Sequence, residues 1–265
     1  MLIWLEQARD SALVGAKAAR LSALAGQFPV PSGFCLTAAA FAQWLAQGKP
    51  ETIPPNIAAL IEQAYQEFAA KLDIAEPRVA VRSSAADEDS HSASSAGQYE
   101  TYLNVVGISE LREAVLRCWR SADTERVRAY RRRGSATPSQ HLDEIRMGVL
   151  IQQQIAADIS VIAFSVNPVS GNRTEGVINA VWGLGQSLAD GSVTPDTYIF
   201  SKSDLSLLRQ DIGAKERMTI LKPSGVEEVN VPRVMRRQSV LNADKLNQVA
   251  AMVCALEALN GWHVD

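Results

Sequence analysis

Apolar residues in the first half of the chain recur mostly at helical spacing. After a turn at Gly15, the residues Ala18, Leu21 and Leu24 are spaced as on one face of a helix, which predicts a helix that ends near Leu24. The same periodicity continues further along this half. It predicts helices over residues 38–46, 57–72 and 109 to about 132, with Thr37 as the N-cap of the first and Ser109 as the N-cap of the last.

The second half of the chain changes to short runs of apolar and β-branched residues, which are typical of strands. Asn167-Pro168 and Gly171-Asn172 are turn signals between two of these runs. The polar stretch 134–141 is the predicted boundary between a helix-rich first lobe, residues 1–135, and a sheet-rich second lobe, residues 142–265. The expected class is therefore α/β (α+β). Strands are predicted at residues 147–154, 160–166, 176–182, 198–200, 205–209 and 218–221, and a final helix at about 244–260.

Composition narrows the class of protein. The chain has 265 residues, of which 47% are hydrophobic and 21% are charged, and its net charge is −3. These values indicate a folded core and do not favour a nucleic-acid-binding protein. Cys35, Cys118 and Cys254 are far apart and form no CxxC pair, so we expect buried thiols in a reducing compartment. There is no signal peptide and no run of about 20 apolar residues, so we predict a cytoplasmic protein without a membrane span.

The segment 78–106 carries the strongest chemical signal. An apolar strand ends at Arg82, a run of small and polar residues surrounds Gly97, and a second strand follows Thr101. Such a run cannot build a core, but its backbone N–H groups, hydroxyls and guanidinium suit a polyphosphate. The sequence therefore indicates a nucleotide-handling function, and an ordinary flexible loop is the alternative.

Two cations are candidates for binding phosphate. Lys17 follows the turn at Gly15 at the start of a helix, where an ammonium and the helix N-terminus both attract anions, although the spacing of a P-loop is absent. Arg82 offers a planar guanidinium that matches phosphate oxygens. The alternative for Lys17 is a solvated surface lysine. The alternative for Arg82 is a structural ion pair with Asp87, Glu88 or Asp89.

Other polar segments give weaker signals. The strand end Gln152-Gln153-Gln154 suits an adenine edge, or is simply a polar strand end. Gly183 and Gly185 follow a strand but lack the third glycine of the dinucleotide fingerprint. His91 is a weak catalytic candidate, since a lone histidine in a Ser-rich loop is more often solvated. His141 and His263 have no partner at metal-ligand spacing. A basic cluster suits the end of the long helix, with nucleic-acid binding as the alternative: Arg126, Arg128, Arg131, Arg132 and Arg133.

Taken together, these segments resemble the ATP-binding domain shared by phosphoenolpyruvate synthase, pyruvate phosphate dikinase and rifampin phosphotransferase. The likeness extends nearly from end to end, and several motifs in one order are far more specific than any one of them. The matching segments are VGAKA at residues 14–18, VPSGF at 30–34 with Thr37, VRSSA at 81–85, AGQYET at 96–101, Asn167-Pro168 with Gly171, WGLG at 182–185, and Pro195-Asp196.

The resemblance implies an ATP-grasp-like, two-lobed nucleotide-binding fold with ATP held between the lobes. It implies that Lys17 and Arg82 bind the phosphates and are the catalytic residues, with ATP and Mg²⁺ as cofactors. Enzymes of this family pass the β-phosphoryl group of ATP to a histidine on a separate swivelling domain, which requires fixed positive charge against the developing phosphate charge. The resemblance assigns the phosphate cover to Ser95, Gly97, Gln98 and Thr101, and the adenine to Gln152, Gln154 and Ile155.

The chain departs from the family pattern at several positions. Gln186 and Asn167 stand where relatives usually carry Glu and Asp, and Val264 stands where they often carry Gln. In the family, the carboxylates and the Gln-x-Arg segment that hold Mg²⁺ and phosphate lie around and beyond the position of Asp265. We therefore expect a C-terminally incomplete domain with no metal site within this chain, nucleotide binding with little turnover, and a phosphohistidine domain elsewhere.

Two other functions are compatible with the sequence. A non-catalytic nucleotide-binding or regulatory module would keep the fold without the carboxylates, and a nucleic-acid-binding protein would use the basic cluster. The final phosphoryl acceptor is also open, since pyruvate and an antibiotic hydroxyl are both compatible with these residues.

Overall fold

The computed structural model describes residues 1–85, 100–122 and 146–265, which fall into two compact units, Met1–Ile155 and Ala156–Asp265. The predicted α/β (α+β) class is confirmed, because helices and antiparallel sheets occur in both units. The division between the units differs from the predicted one at residues 135–142. The strand over residues 147–153 pairs with strands of the first unit, and its apolar sequence had placed it with the sheet-rich second half.

The first unit is built on a five-stranded antiparallel sheet whose centre is formed by a late strand of the sequence. The apolar run of β5 is buried between β2 and β3, as a strand covered on both faces must be. The strands are β1 (Leu2–Trp4), β2 (Gly33–Leu36), β3 (Val79–Ala85), β4 (Thr101–Val105) and β5 (Met147–Gln153), in the spatial order β1-β2-β5-β3-β4.

Helices cover both faces of this sheet. Side chains alternate along β2, so that Phe34 packs with α3 to α5 on one face while Cys35 packs with α1 and α2 on the other. Burial raises the pKa of the Cys35 thiol to about 12, in keeping with the predicted buried thiol. After a short 3-10 turn at Leu5–Gln7, the helices are α1 (Ser11–Val14), α2 (Ala16–Leu24), α3 (Ala38–Ala46), α4 (Pro55–Leu72) and α5 (Gly107–Ala122).

The predicted helices of this unit are largely confirmed, with differences at their ends. Thr37 is the N-cap of α3, but its side chain makes no capping hydrogen bond. Helix α5 begins at Gly107 rather than at Ser109, because Gly107 takes a positive φ at the turn and Glu110 reaches back to the Val106 N–H. The predicted continuation of this helix to residue 132, the polar stretch 134–141 and the basic cluster lie outside the described residues.

The second unit has a four-stranded antiparallel sheet with one long helix against it. Leu246, Ala250 and Val253 of this helix pack on Tyr198 and Phe200 of the sheet. No helix in the described part of the chain is long and apolar enough to cross a membrane. The elements are β6 (Ile159–Phe164), β7 (Glu175–Trp182), α6 (Gln186–Ala189), β8 (Asp196–Ser201), β9 (Leu207–Asp211), the hairpin β10 (Arg217–Leu221) and β11 (Val226–Asn230), and α7 (Ala243–Asn260).

A fully buried ion pair joins the segments around β8. Lys215 and Asp196 are both inaccessible to solvent, and the lysine Nζ donates to the Asp196 carboxylate and to the Gly213 carbonyl. The same carboxylate accepts from the Gly213 N–H at 3.0 Å, the Val240 N–H at 2.8 Å and the Tyr198 hydroxyl at 3.2 Å. Asp196 therefore fixes two loops to β8, one through Gly213 and one through Val240.

The turn between β6 and β7 is organised by Asn167. Its side-chain oxygen accepts from the backbone N–H groups of Val169 at 3.0 Å and Ser170 at 3.3 Å, while its amide nitrogen donates to the Glu175 carboxylate at 2.9 Å. Asn167 is only 6% exposed. An aspartate here would keep the two accepted bonds but would place a second carboxylate against Glu175, so the amide suits this sequence.

We expect Lys215→Met to lower the free energy of unfolding by about 3–5 kcal/mol, because Asp196 would keep a buried charge without its cation. Chemical denaturation at neutral pH measures this loss. The control is Arg209→Met, which breaks the exposed Arg209–Asp211 pair and should cost less than about 1 kcal/mol. Equal losses in the two variants would contradict the importance of the buried pair.

We expect Asn167→Asp to destabilise the chain by about 1–3 kcal/mol at pH 7, because a donor to Glu175 becomes a like charge. The neighbouring carboxylate would raise the pKa of the new aspartate, so the deficit should shrink as the pH falls through that pKa. Denaturation at pH 7 and pH 4 tests both statements. Asn172→Asp is the matched control, since Asn172 accepts from Thr174 through its oxygen; a comparable loss there would refute the explanation.

Candidate functional site

The junction between α1 and α2 lies directly on the central strands of the first unit. Gly15 has φ +83°, and a Cβ at this position would lie 1.9 Å from the Ser84 carbonyl oxygen. On the neighbouring strand, a Cβ on Gly148 would lie 2.4 Å from the Val14 carbonyl oxygen. Ser84 and Gly148 are paired in the sheet, so two adjacent sites exclude a side chain. The start of α2 is thereby held against β3 and β5.

Lys17 is anchored to β3 by its own side chain. Its Nζ donates to the carbonyl oxygen of Ser83 at 3.0 Å, and the residue is half-buried. The backbone N–H of the next residue, Ala18, donates to the Ser84 hydroxyl at 3.1 Å. Lys17 is therefore a positioned side chain on the sheet, which argues against the alternative of a solvated surface lysine.

Arg82 lies on the same strand, immediately before the residue that holds Lys17. It is half-buried and paired with Leu150 on one side and with Thr101 on the other. Leu150 packs with α1 and α2, so alternation along the strands places Arg82 on the face that α2 covers. The acidic residues proposed as ion-pair partners, Asp87, Glu88 and Asp89, lie outside the described residues.

The predicted phosphate cover is only partly described. Thr101 is the first residue of β4, exposed and directly opposite Arg82. The preceding carbonyl, that of Glu100, accepts from the backbone N–H and the hydroxyl of Ser83 at 3.2 and 3.1 Å. The end of the loop is thus attached to the residue that holds Lys17. Ser95, Gly97 and Gln98 lie outside the described residues, as does His91.

The predicted adenine residues lie at the other end of β5. Gln152 is buried, and its amide donates to the Pro31 carbonyl at 2.8 Å, so this donor is used within the first unit. Gln154 donates to the Ile155 carbonyl at 3.0 Å. Ile155 itself is 49% exposed. Gln152 pairs with Ala80, two residues along β3 from Arg82, so the adenine and phosphate candidates share one pair of strands.

Sequence reasoning missed a buried polar group beside this strand end. Asn104 is fully buried with φ +55°, and its side-chain oxygen accepts from Arg78 at 2.6 Å. Its backbone N–H donates to Gln154 at 3.4 Å, so it connects β4 with the end of β5. The sequence does contain a signal for this group, because Asn104 interrupts the largely apolar run TYLNV. A buried amide at such a position needs hydrogen-bond partners.

In the second unit, the WGLG segment is held by the hairpin of β10 and β11. Gly183 has φ +76° and contacts Thr219 so closely that a Cβ would lie 2.3 Å from its carbonyl oxygen. Its own carbonyl accepts from the Ser160 hydroxyl at 2.8 Å. Gln186, one of the departures from the family pattern, is the first residue of α6. The positive φ and the close contact with Thr219 explain why residue 183 is a glycine.

The last residues of the chain are attached to the end of β6. Val264 exchanges two hydrogen bonds with Ser165, each at 2.9 Å, and His263 bonds Glu257 at 2.8 Å. Burial raises the pKa of Glu257, but the bonds from Lys202 and His263 outweigh it, so the pKa lies below its ordinary value. Its stabilising contribution is therefore present at neutral pH and is lost as the pH falls through that lowered pKa.

Among the described residues, no group of three or more His, Cys, Asp or Glu side chains is arranged to hold a metal ion. A cavity of about 310 Å³ lies between α4 and α5, lined in part by Glu51, Ser109 and Arg112. It contains none of the predicted phosphate or adenine residues.

Comparison with known proteins identifies the family of this chain. The model of the pyruvate phosphate dikinase AMP/ATP-binding domain matches residues 49–265. The chain is 34% identical to a phosphoenolpyruvate synthase of Aeropyrum pernix over 87% of the chain, and 34% identical to an uncharacterized phosphotransferase of Bacillus subtilis over 98% of it. It is 33% identical to a rifampicin phosphotransferase of Streptomyces sviceus over 96% of the chain.

In each of these three comparisons the match covers 32% of the relative, so the chain spans about a third of their length. The family model, by contrast, covers well over half of this chain and includes β3, β4 and the whole second unit. The resemblance noted in the sequence is confirmed. The chain belongs to the family of pyruvate phosphate dikinase AMP/ATP-binding domains.

Proposed function

We propose that this chain is an ATP-grasp-like domain that binds ATP, with Lys17 and Arg82 as the groups that hold the phosphates. The observation that carries the proposal is that both cations meet at β3: Arg82 belongs to this strand, and Lys17 of α2 is hydrogen-bonded to it. The carbonyl of Ser83 fixes the Lys17 ammonium, and Arg82 is the adjacent residue. Two fixed cations suit a polyphosphate, because an ammonium and a guanidinium both form charge-assisted bonds to phosphate oxygens.

The remaining contacts of ATP are proposed from the same pair of strands. The loop that carries Ser95, Gly97 and Gln98 and ends at Thr101 would cover the phosphates, since Thr101 lies opposite Arg82. The adenine would lie at the end of β5, against the exposed Ile155 and the backbone near Gln154. Gln152 would act indirectly, by fixing this strand end through Pro31.

The proposed reaction is the transfer of the ATP β-phosphoryl group to a histidine on another domain. In this reaction the bond between the α- and β-phosphates of ATP breaks and leaves AMP, and hydrolysis of the bond between the β- and γ-phosphates releases the γ-phosphate as inorganic phosphate. The family description names AMP beside ATP. Lys17 and Arg82 would stabilise the charge that develops on the transferred group. Mg²⁺ would accompany the nucleotide and neutralise part of its charge when bound.

Turnover by this chain alone is proposed to be low. Gln186 and Asn167 are neutral where the family pattern has carboxylates, and the amide of Asn167 is engaged with Glu175. The acceptor would be set outside this region, since the relatives include a phosphoenolpyruvate synthase and a rifampicin phosphotransferase. A reducing, cytoplasmic environment is proposed because Cys35 and Cys118 are buried and form no disulfide.

Calorimetric titration of ATP with Mg²⁺ tests the site. We expect Lys17→Ala and Arg82→Ala each to weaken ATP binding by about tenfold to 100-fold, the effect of losing a charge-assisted bond, and to leave the affinity for adenosine unchanged. Lys245→Ala is the control, because it removes one exposed positive charge at the start of α7. A similar loss in the control, or none in the two variants, would refute the assignment.

The transfer reaction is tested with a chimera in which this chain replaces the matching region of the Aeropyrum pernix phosphoenolpyruvate synthase. With ATP labelled at the β-phosphate, we expect AMP as the nucleotide product and label on a histidine, and neither with Lys17→Ala. The isolated chain should release AMP far more slowly. Formation of ADP would exclude β-phosphoryl transfer, and equal rates with and without the other domains would exclude the low turnover of the chain.

A further inference from the structure

Helix α2 begins without a capping side chain of its own. Its N-cap residue is Gly15, which has none, and the first N–H groups of a helix lack partners within the helix. The N-cap side chain normally accepts from the second or third helical N–H. Here the third helical residue, Ala18, donates at 3.1 Å to the hydroxyl of Ser84, which lies 66 residues away on β3. Ser84 therefore serves as the cap of a helix that it does not belong to.

Gly15 makes the hydrogen bond between Ala18 and Ser84 possible. The absence of a Cβ at Gly15 lets the helix start approach Ser84, where a Cβ would lie 2.4 Å from its Oγ. A serine or aspartate at the N-cap could supply its own oxygen but could not fit into this space. The start of α2 is therefore capped by a residue of β3 and not by its own N-cap side chain, so the position of α2 is coupled to β3.

This arrangement holds both ends of Lys17. The Ser84 hydroxyl fixes the backbone on the C-terminal side of the lysine through Ala18, and the Ser83 carbonyl fixes the Nζ at 3.0 Å. Ser84 is fully buried, so water does not compete for its hydroxyl. Arg82 is carried by the same strand, two residues before Ser84.

We propose that Ser84 is a positioning residue for Lys17, which sets the distance between the two phosphate-binding cations by capping α2 from β3. The inference rests on the proposed function of Lys17 in ATP binding. Ser84 itself need not touch the nucleotide. Its effect on ATP binding should therefore pass through Lys17, and that dependence can be measured.

The experiment is a double-mutant cycle of Ser84→Ala and Lys17→Ala, read as affinity for ATP and for adenosine by calorimetry. We expect Ser84→Ala to weaken ATP binding by about threefold to tenfold, the range for loss of one hydrogen bond, with adenosine unaffected. In the Lys17→Ala background, Ser84→Ala should have no further effect on ATP. Circular dichroism and thermal melting confirm that each variant is folded.

Ser22 supplies a matched control on the same helix. Its hydroxyl is buried and has no hydrogen-bond partner among the described residues, so Ser22→Ala removes the same group without removing a bond. ATP affinity should be unchanged in this variant. If Ser84→Ala does not fold, Ser84→Cys preserves the size and leaves only a weak acceptor, and the same direction of effect is expected.

The possible outcomes separate the two proposals. Equal ATP affinity in Ser84→Ala and Ser22→Ala, or an undiminished effect of Ser84→Ala in the Lys17→Ala background, would overturn the role of Ser84 while leaving Lys17 as a phosphate ligand. Unchanged ATP affinity in Lys17→Ala alone would overturn the proposed role of the lysine, and with it this inference.

Discussion

The close contact between the start of α2 and the strand β3 is the constraint on which the candidate site depends. At Gly15 and at Gly148 a single Cβ would collide with backbone atoms of the neighbouring element. Backbone cannot move aside as a flexible side chain can, so this approach admits glycine alone. The hydrogen bond from the Ala18 backbone N–H to the Ser84 hydroxyl, at 3.1 Å, depends on this approach.

Several buried polar side chains in the described part of the chain are held by hydrogen bonds in a comparable way. The Asp196 carboxylate is stable without solvent because a lysine, two N–H groups and a hydroxyl all donate to it. Asn167 and Asn104 are buried amides whose atoms are likewise engaged. Such groups are costly when one partner is lost, so each of them fixes the local backbone more firmly than an apolar contact would.

The family match covers only part of the proposed phosphate site. The family model covers residues 49–265, whereas Lys17 and the glycine at position 15 lie before the matched range. The structure connects the two, because α2 is fixed to a strand that lies within that range. The proposed phosphate site therefore joins a residue outside the family match to one inside it.

The sequence by itself determined the mixed class, most helices and the order of the motifs, because helical periodicity and turn residues are local properties. It also singled out Lys17 and Arg82 as residue types suited to phosphate. Only the tertiary structure decided that β5 belongs to the first unit, that the Gln152 amide is used by Pro31, and that Ser84 caps α2. The hydrogen bonds of Ser84 and Gln152 join residues 66 and 121 positions apart, and no local pattern encodes such pairings.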